Sequence, residues 1–254
     1  MLPLLTRQIR VGLGADYLAM AEVKGRRILS WRYANFNGRP GNSSQEALAD
    51  LDRLLKDLPA KGISLSFFLS SDLAPLAITP WKEGFNTKEQ QVLFAKAHYR
   101  GIYGDRALSW DVVVDTTGFE KPWIASAIET PLKERLVELS EGRPLSIQPL
   151  STPILNTITK RLAKRTCWIL IPEFSKMNAI FVRDGDITIL KQLPIKDKDD
   201  VNKRLAREMR LNGLEPMEFE VINLAKPSLL VPGLKYQPEL NLELEPIHLL
   251  GVTR

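Results

Sequence analysis

The sequence predicts an α/β protein in which one β-β-β-α-β unit is used twice, with a small α+β insertion in the first copy. Three observations carry this. Three consecutive strand-like stretches, the last two joined by a tight Lys24-Gly25 turn, precede a leucine-spaced helix and a further apolar strand. The same order recurs after Cys167, where Arg183-Asp184-Gly185-Asp186 makes the turn. The residues between the two copies match neither of them.

The first copy opens with strands over Ile9–Ala15, Tyr17–Val23 and Arg26–Ala34. Ser43 with Glu46 fits a capping box, and Leu48, Leu51, Leu55 and Leu58 follow at helical spacing until Lys61-Gly62 stops the helix. Ile63–Ser70 then reads as a buried strand. In the middle stretch, Thr87 and Gln90 cap a helix running to about Tyr99. Leu108–Asp115 and Trp123–Ile128 are strands, Pro131 opens a helix carrying Leu132, Leu136 and Leu139, Leu145–Ile147 is a short strand, and Pro153 opens another helix. The second copy has strands at Cys167–Ile171, Ala179–Val182 and Ile187–Leu193, then a helix from Asp199 to Asn212 ended by Gly213, then a strand over Glu218–Asn223. The proline-rich tail after Lys226 predicts loops. The expected division is a first lobe over 1–157, with an insertion over about 76–145, and a second lobe over 158–254.

Composition narrows the function classes. Over 254 residues, 44% apolar and 26% charged content is that of an ordinary folded domain. The balance of 35 Lys and Arg against 30 Asp and Glu gives +5, too mild to imply nucleic acid. One cysteine, Cys167, excludes an internal disulfide, and two histidines, His98 and His248, exclude most histidine-built metal sites. No apolar run reaches the roughly 20 residues that span a bilayer, and Met1–Arg10 lacks the order of a secretory signal. The expected compartment is the cytoplasm.

Three antiparallel strands and a helix crossing to a parallel strand describe a ribonuclease-H-like lobe, and two such lobes make the actin-like architecture. The stretch Ile9-Arg10-Val11-Gly12-Leu13-Gly14-Ala15-Asp16-Tyr17-Leu18-Ala19-Met20-Ala21-Glu22-Val23 resembles the opening hairpin of the PilM family of type IV pilus assembly proteins. Ile124–Ile128 followed by Leu132-Lys133-Glu134 resembles that family's return from its inserted subdomain, and Trp168–Gly185 resembles its second phosphate hairpin. The length also resembles the cytoplasmic domain of the GspL proteins of type II secretion. The resemblance implies a scaffold at the cytoplasmic side of the inner membrane. Its implied partners are the cytoplasmic tail of a bitopic membrane neighbour and the motor ATPase.

Against the family pattern, the first-hairpin aspartate falls on Gly12 and its lysine on Ala19. The second-hairpin aspartate falls near Ile171 or Pro172, and the glycine near Glu173. Actin-like ATPases need those aspartates for hydrated Mg²⁺ and those glycines for phosphate approach. Gly14 and Ser175 remain as remnants, so the expectation is no catalytic residue, no metal and no cofactor. The alternatives are an active actin-like ATP-binding or kinase-like enzyme, and a basic nucleic-acid adaptor. Asp111 and Asp115 share a strand face and read as its solvated edge. Ser151 and His98 lack a nucleophile elbow to make them a triad. Two basic clusters stand out: Lys160, Arg161, Lys164 and Arg165, and, on the last long helix, Lys203, Arg204, Arg207 and Arg210. The second is a candidate contact for a partner or for anionic lipid. Trp31, Trp110, Trp123 and Trp168 read as packing residues, whereas Trp81 lies in a loop open to a partner.

Overall fold

Apolar residues alternate along the first strand, β1 (Arg7–Leu13), so that Ile9, Val11 and Leu13 point to one side of a sheet. This is a computed structural model; it describes residues 7–15, 17–25, 27–35, 43–56, 58, 62–116, 120–159, 166–173, 176–194, 198–213 and 220–223. β1 pairs antiparallel with β2 (Tyr17–Lys24), which pairs antiparallel with β3 (Arg27–Asn35). Helix α1 (Ser43–Lys56) then crosses so that β4 (Ile63–Leu69) lies parallel to β1, and β8 (Leu145–Pro149) lies parallel to β4. The sheet order is β3-β2-β1-β4-β8. Ala47, Leu51 and Leu55 of α1 cover Ile9, Val11, Leu13, Leu65, Phe67 and Leu69, and Leu136 and Leu139 of α3 (Thr130–Ser140) complete that core. Each such side chain contributes about 1.5–3 kcal/mol on burial. β4 is buried on both faces from Leu65 onward, as a central parallel strand should be. Ser43 begins α1, but its side chain lies outside the described residues.

Between β4 and α3 the chain builds a second, three-stranded antiparallel sheet from β5 (Leu76–Thr79), β6 (Trp110–Thr116) and β7 (Trp123–Glu129), in the order β5-β7-β6. Helix α2 (Lys88–Tyr103) covers one face of it. The Thr87–Gln90 capping box forms as the sequence predicts. β5 was not predicted: four residues are too short for a periodicity signal, and its pairing with β7 supplies what local sequence does not. Gly104–Ser109 is a 3-10 turn, so the strand expected from Leu108 begins at Trp110. Trp123 lies edge-on to Phe94 at 6.1 Å, and Tyr99 packs on Trp110 at 5.9 Å. The buried Tyr99 hydroxyl lies 2.9 Å from both the Pro75 and Ala125 carbonyl oxygens, clamping the entry to this sheet onto β7. Tyr99→Phe is expected to cost about 1 kcal/mol, read by urea denaturation.

Burial also raises the Tyr99 pKa, because the phenolate would be desolvated. In the unfolded chain a tyrosine ionises near pH 10. Its contribution to stability is therefore full below about pH 10 and declines above it. The Phe variant should show a shallower alkaline decline.

The chain divides into two units, the first running to Thr152 and the second starting at Pro153. Helix α4 (Ser151–Thr159) contains that boundary. The second unit repeats the plan: β9 (Cys167–Glu173), β10 (Lys176–Arg183), β11 (Asp186–Pro194), α5 (Lys198–Leu211) and β12 (Glu220–Asn223), in the sheet order β11-β10-β9-β12. Leu205 and Met209 of α5 pack on Trp168, Leu170, Met177, Ala179, Phe181 and Leu193. Gly213 has φ +67° just beyond α5, where a helix stop needs the left-handed conformation.

The duplication extends to an irregularity. In β2–β3 the pairs run Lys24–Arg27, Val23–Ile28, then Glu22–Ser30, leaving Leu29 as an extra residue. In β10–β11 they run Arg183–Asp186, Val182–Ile187, then Phe181–Ile189, leaving Thr188 extra at the same place. Both units are ribonuclease-H-like, three antiparallel strands with a parallel strand added beside the first.

Candidate functional site

The loop between β1 and β2 is where the sequence offers its first remnant of a phosphate site. Gly14 donates its N–H to the Tyr17 carbonyl at 3.0 Å, and the Ser70 N–H donates to the Leu13 carbonyl at 2.8 Å. A Cβ on Gly14 would lie 2.0 and 2.3 Å from ring carbons of Tyr17, a residue only 1% exposed. Gly14 is therefore glycine to admit an aromatic ring, and its amide is already engaged. Gly12 and Ala19, where the resemblance to the PilM pattern would put an aspartate and a lysine, pair directly across the hairpin and are buried. Tyr17, Ala19, Ala21 and Val23 form an apolar cluster there with Phe68 and Leu150. Neither Gly12 nor Ala19 carries a side-chain oxygen that a hydrated Mg²⁺ could take as a ligand.

In the second hairpin Ile171 is fully buried and Glu173 is 4% exposed, with Asn178 Nδ2 donating to its Oε1 at 2.7 Å. Pro172 pairs with Met177 of β10, while β12 reaches along β9 only as far as Leu170, so the missing N–H removes no bond to β12. A carboxylate at this place opposes a polyphosphate. Ser175 lies outside the described residues, as do Lys160, Arg161, Lys164 and Arg165. Among the described residues, no group of His, Cys, Asp and Glu is arranged to hold a metal ion, and no helix is long and apolar enough to cross a membrane.

The structure brings other residues together. A groove of about 100 Å³ lies in the first unit between the inserted sheet and β8. Leu69, Ile128 and Ile147 form its apolar floor and Val113, 64% exposed, its rim. Lys133 Nζ donates to Asp111 Oδ2 at one side. Two terminal strands line it: β6 ends the inserted sheet and β8 ends the five-stranded sheet. Among the described residues each has one row of backbone N–H and C=O groups outside its own ladder, and on β6 the Lys88 ammonium donates to the Val114 carbonyl. Such a row beside an apolar trough accepts an extended peptide as an added strand.

Nothing in the sequence marked this groove as a site. Its one signal is the alternation in Trp110-Asp111-Val112-Val113-Val114-Asp115: Trp110, Val112 and Val114 are buried against α2, while Asp111, Val113 and Asp115 share the opposite face. Asp111 is ion-paired and Asp115 is exposed. The tryptophans divide differently from expectation. Trp110, Trp123 and Trp168 are buried, but Trp31, on the terminal strand β3, is 50% exposed, and Trp81 is half-buried against the core that α2 covers. On α5, Lys203, Arg207 and Arg210 are exposed and Arg204 is half-buried.

No family model and no curated protein sequence matches the chain. Solved structures do. The chain is similar over 100% of its length, and 100% of theirs, to a Bacteroides thetaiotaomicron protein of actin-like ATPase fold and unknown function, with a TM-score of 0.68 at 10% identity. It is similar to the cytoplasmic domain of EpsL, an inner-membrane component of the Vibrio cholerae type II secretion system, with a TM-score of 0.57 at 10% identity over 96% of this chain and 93% of that one. It is also similar to a chain of the PilM–PilN type IV pilus biogenesis complex, with a TM-score of 0.59 at 13% identity over 98% and 95%. Two ribonuclease-H-like units in one chain, matched along almost its full length, give this protein the actin-like fold.

Proposed function

We propose that this protein is a non-catalytic actin-like scaffold of a type IV pilus or type II secretion assembly platform, working at the cytoplasmic side of the inner membrane. In this reading it binds the cytoplasmic tail of a bitopic membrane neighbour and the motor ATPase. The observation that carries it is the groove between β6 and β8, an apolar trough bordered by two terminal strands. Similarity to a chain of the PilM–PilN complex, and to the cytoplasmic domain of an inner-membrane secretion component, supports the same class of role. The tail would lie extended along β6 or β8 with an apolar side chain over Leu69 and Ile147.

Calorimetric titration with synthetic cytoplasmic tails of bitopic pilus or secretion proteins tests it. Binding should be at least about tenfold weaker in Val113→Asp, since a charge at the rim of an apolar trough must be desolvated by the ligand. Val113 is exposed, so the variant should keep its fold. Equal affinity in both proteins would remove the groove from the function.

The competing reading is an active nucleotide-binding enzyme. A titration with Mg-ATP separates the two: no heat and no stabilisation are expected at millimolar nucleotide, because both hairpins present buried apolar groups or a carboxylate where a phosphate and its metal would sit. Micromolar binding would sustain the enzyme.

A further inference from the structure

A separate surface lies on the second unit. Lys203, Arg207 and Arg210 follow one another at four and three residues along α5, a strip about 10 Å long on its solvent side. All three are exposed, and among the described residues no carboxylate pairs with them. Glu208, the nearest acid on the helix with a described side chain, is half-buried on another face. Leu211 is 67% exposed immediately after Arg210. Lys191 of β11 is exposed and pairs with Ala179, a residue of the core that α5 covers, so it lies on the same side of the sheet as the helix.

The placement of these cations exceeds what the fold needs. Leu205 and Met209 already anchor α5, and one cation in the last turn satisfies the helix macrodipole. The helix face is convex, and the cavity described above is on the other unit. A peptide ligand requires a trough, and a single-stranded nucleic acid requires aromatic platforms. None of the described α5 residues is aromatic. A bilayer requires neither. Each cation near an anionic leaflet contributes independently, about fivefold in partitioning at physiological salt, and an exposed leucine beside them enters the headgroup layer.

We propose that the Lys203–Arg207–Arg210 face of α5, with Lys191 and Leu211 at its margins, docks on anionic phospholipid headgroups. The surface is independent of the groove on the first unit. Flotation of the full chain with vesicles of 30% phosphatidylglycerol in phosphatidylcholine, against pure phosphatidylcholine, tests it. Binding is expected to the anionic vesicles only, to fall as salt rises, and to weaken about a hundredfold in Lys203→Gln/Arg207→Gln/Arg210→Gln. Leu211→Ser should lower it further without changing the salt dependence. Soluble glycerol phosphate should not compete. Equal flotation of the triple variant, no flotation at low salt, or tighter retention of the protein by polyglutamate or duplex DNA than by the vesicles would each overturn the proposal. Circular dichroism of the variant, all of whose substitutions are exposed, verifies that it is folded.

Discussion

Gly14→Ala is expected to lower the unfolding free energy by about 1–3 kcal/mol, the usual cost of forcing an extra carbon into a packed region. The added Cβ would sit 2.0 Å from the Tyr17 ring. That ring cannot swing away, since it is 1% exposed and held among Ala19, Ala21, Phe68 and Leu150. Urea denaturation of the variant measures the cost, and the combination with Tyr17→Ala should cost clearly less than the two single changes summed. Wild-type stability in Gly14→Ala would mean that the loop is open, and with it a path for a phosphate to reach the Gly14 amide.

Arg143→Ala should cost about 2–4 kcal/mol, because it takes the side-chain donor from the Leu58 carbonyl and empties the space that a buried side chain fills, while the Ser140 carbonyl keeps the Arg143 N–H. The Arg143 side chain is 1% exposed. Its Nη2 donates to the Leu58 carbonyl at 3.1 Å and its Nη1 to the Ser140 carbonyl at 3.4 Å, with Glu141 Oε2 at 3.2 Å. It thereby ties the chain just past α1 to the end of α3, the two helices that cover the same face of the five-stranded sheet. Arg143→Lys keeps the charge but loses the fork, and should recover less than half of the loss. Thermal unfolding of the first unit should fall by about 4–16 °C in the alanine variant. A shift below 1 °C would show that another donor reaches the Leu58 carbonyl and that the vacated space refills.

The sequence made the duplicated plan legible because each strand, helix and turn carries its own local signal. Lys24-Gly25 and Asp184-Gly185 mark the tight turns, and Thr87 with Gln90 marks a helix start that the structure reproduces bond for bond. What local signals miss is pairing at a distance. β5, with four residues, exists because β7 offers Trp123–Ser126 as a ladder. Trp31 looks like a core residue in isolation, and only the sheet order shows that among the described residues β3 ends its sheet, with Trp31 half exposed. The groove was hidden for the same reason. Leu69, Val113, Ile128 and Ile147 come from four strands spread over almost eighty residues, and their types are those of any core. The expectation that Gly12, Ala19 and Glu173 stand where a nucleotide motif would fall came from position alone; what surrounds those positions, the ring over Gly14 and the Asn178 bond to Glu173, needed coordinates.

The shared bulge has a consequence for assembly. An extra residue at Leu29 and at Thr188 bends the outermost hairpin strand of each unit, so neither rim presents a straight run of amides to a stray chain. The ladders that end in β6 and β8 carry no such interruption. A polypeptide seeking a sheet to extend thus meets a bent margin on each of those two hairpins, whereas the straight margin of β6 is guarded by one side chain, Lys88, whose ammonium donates to the Val114 carbonyl.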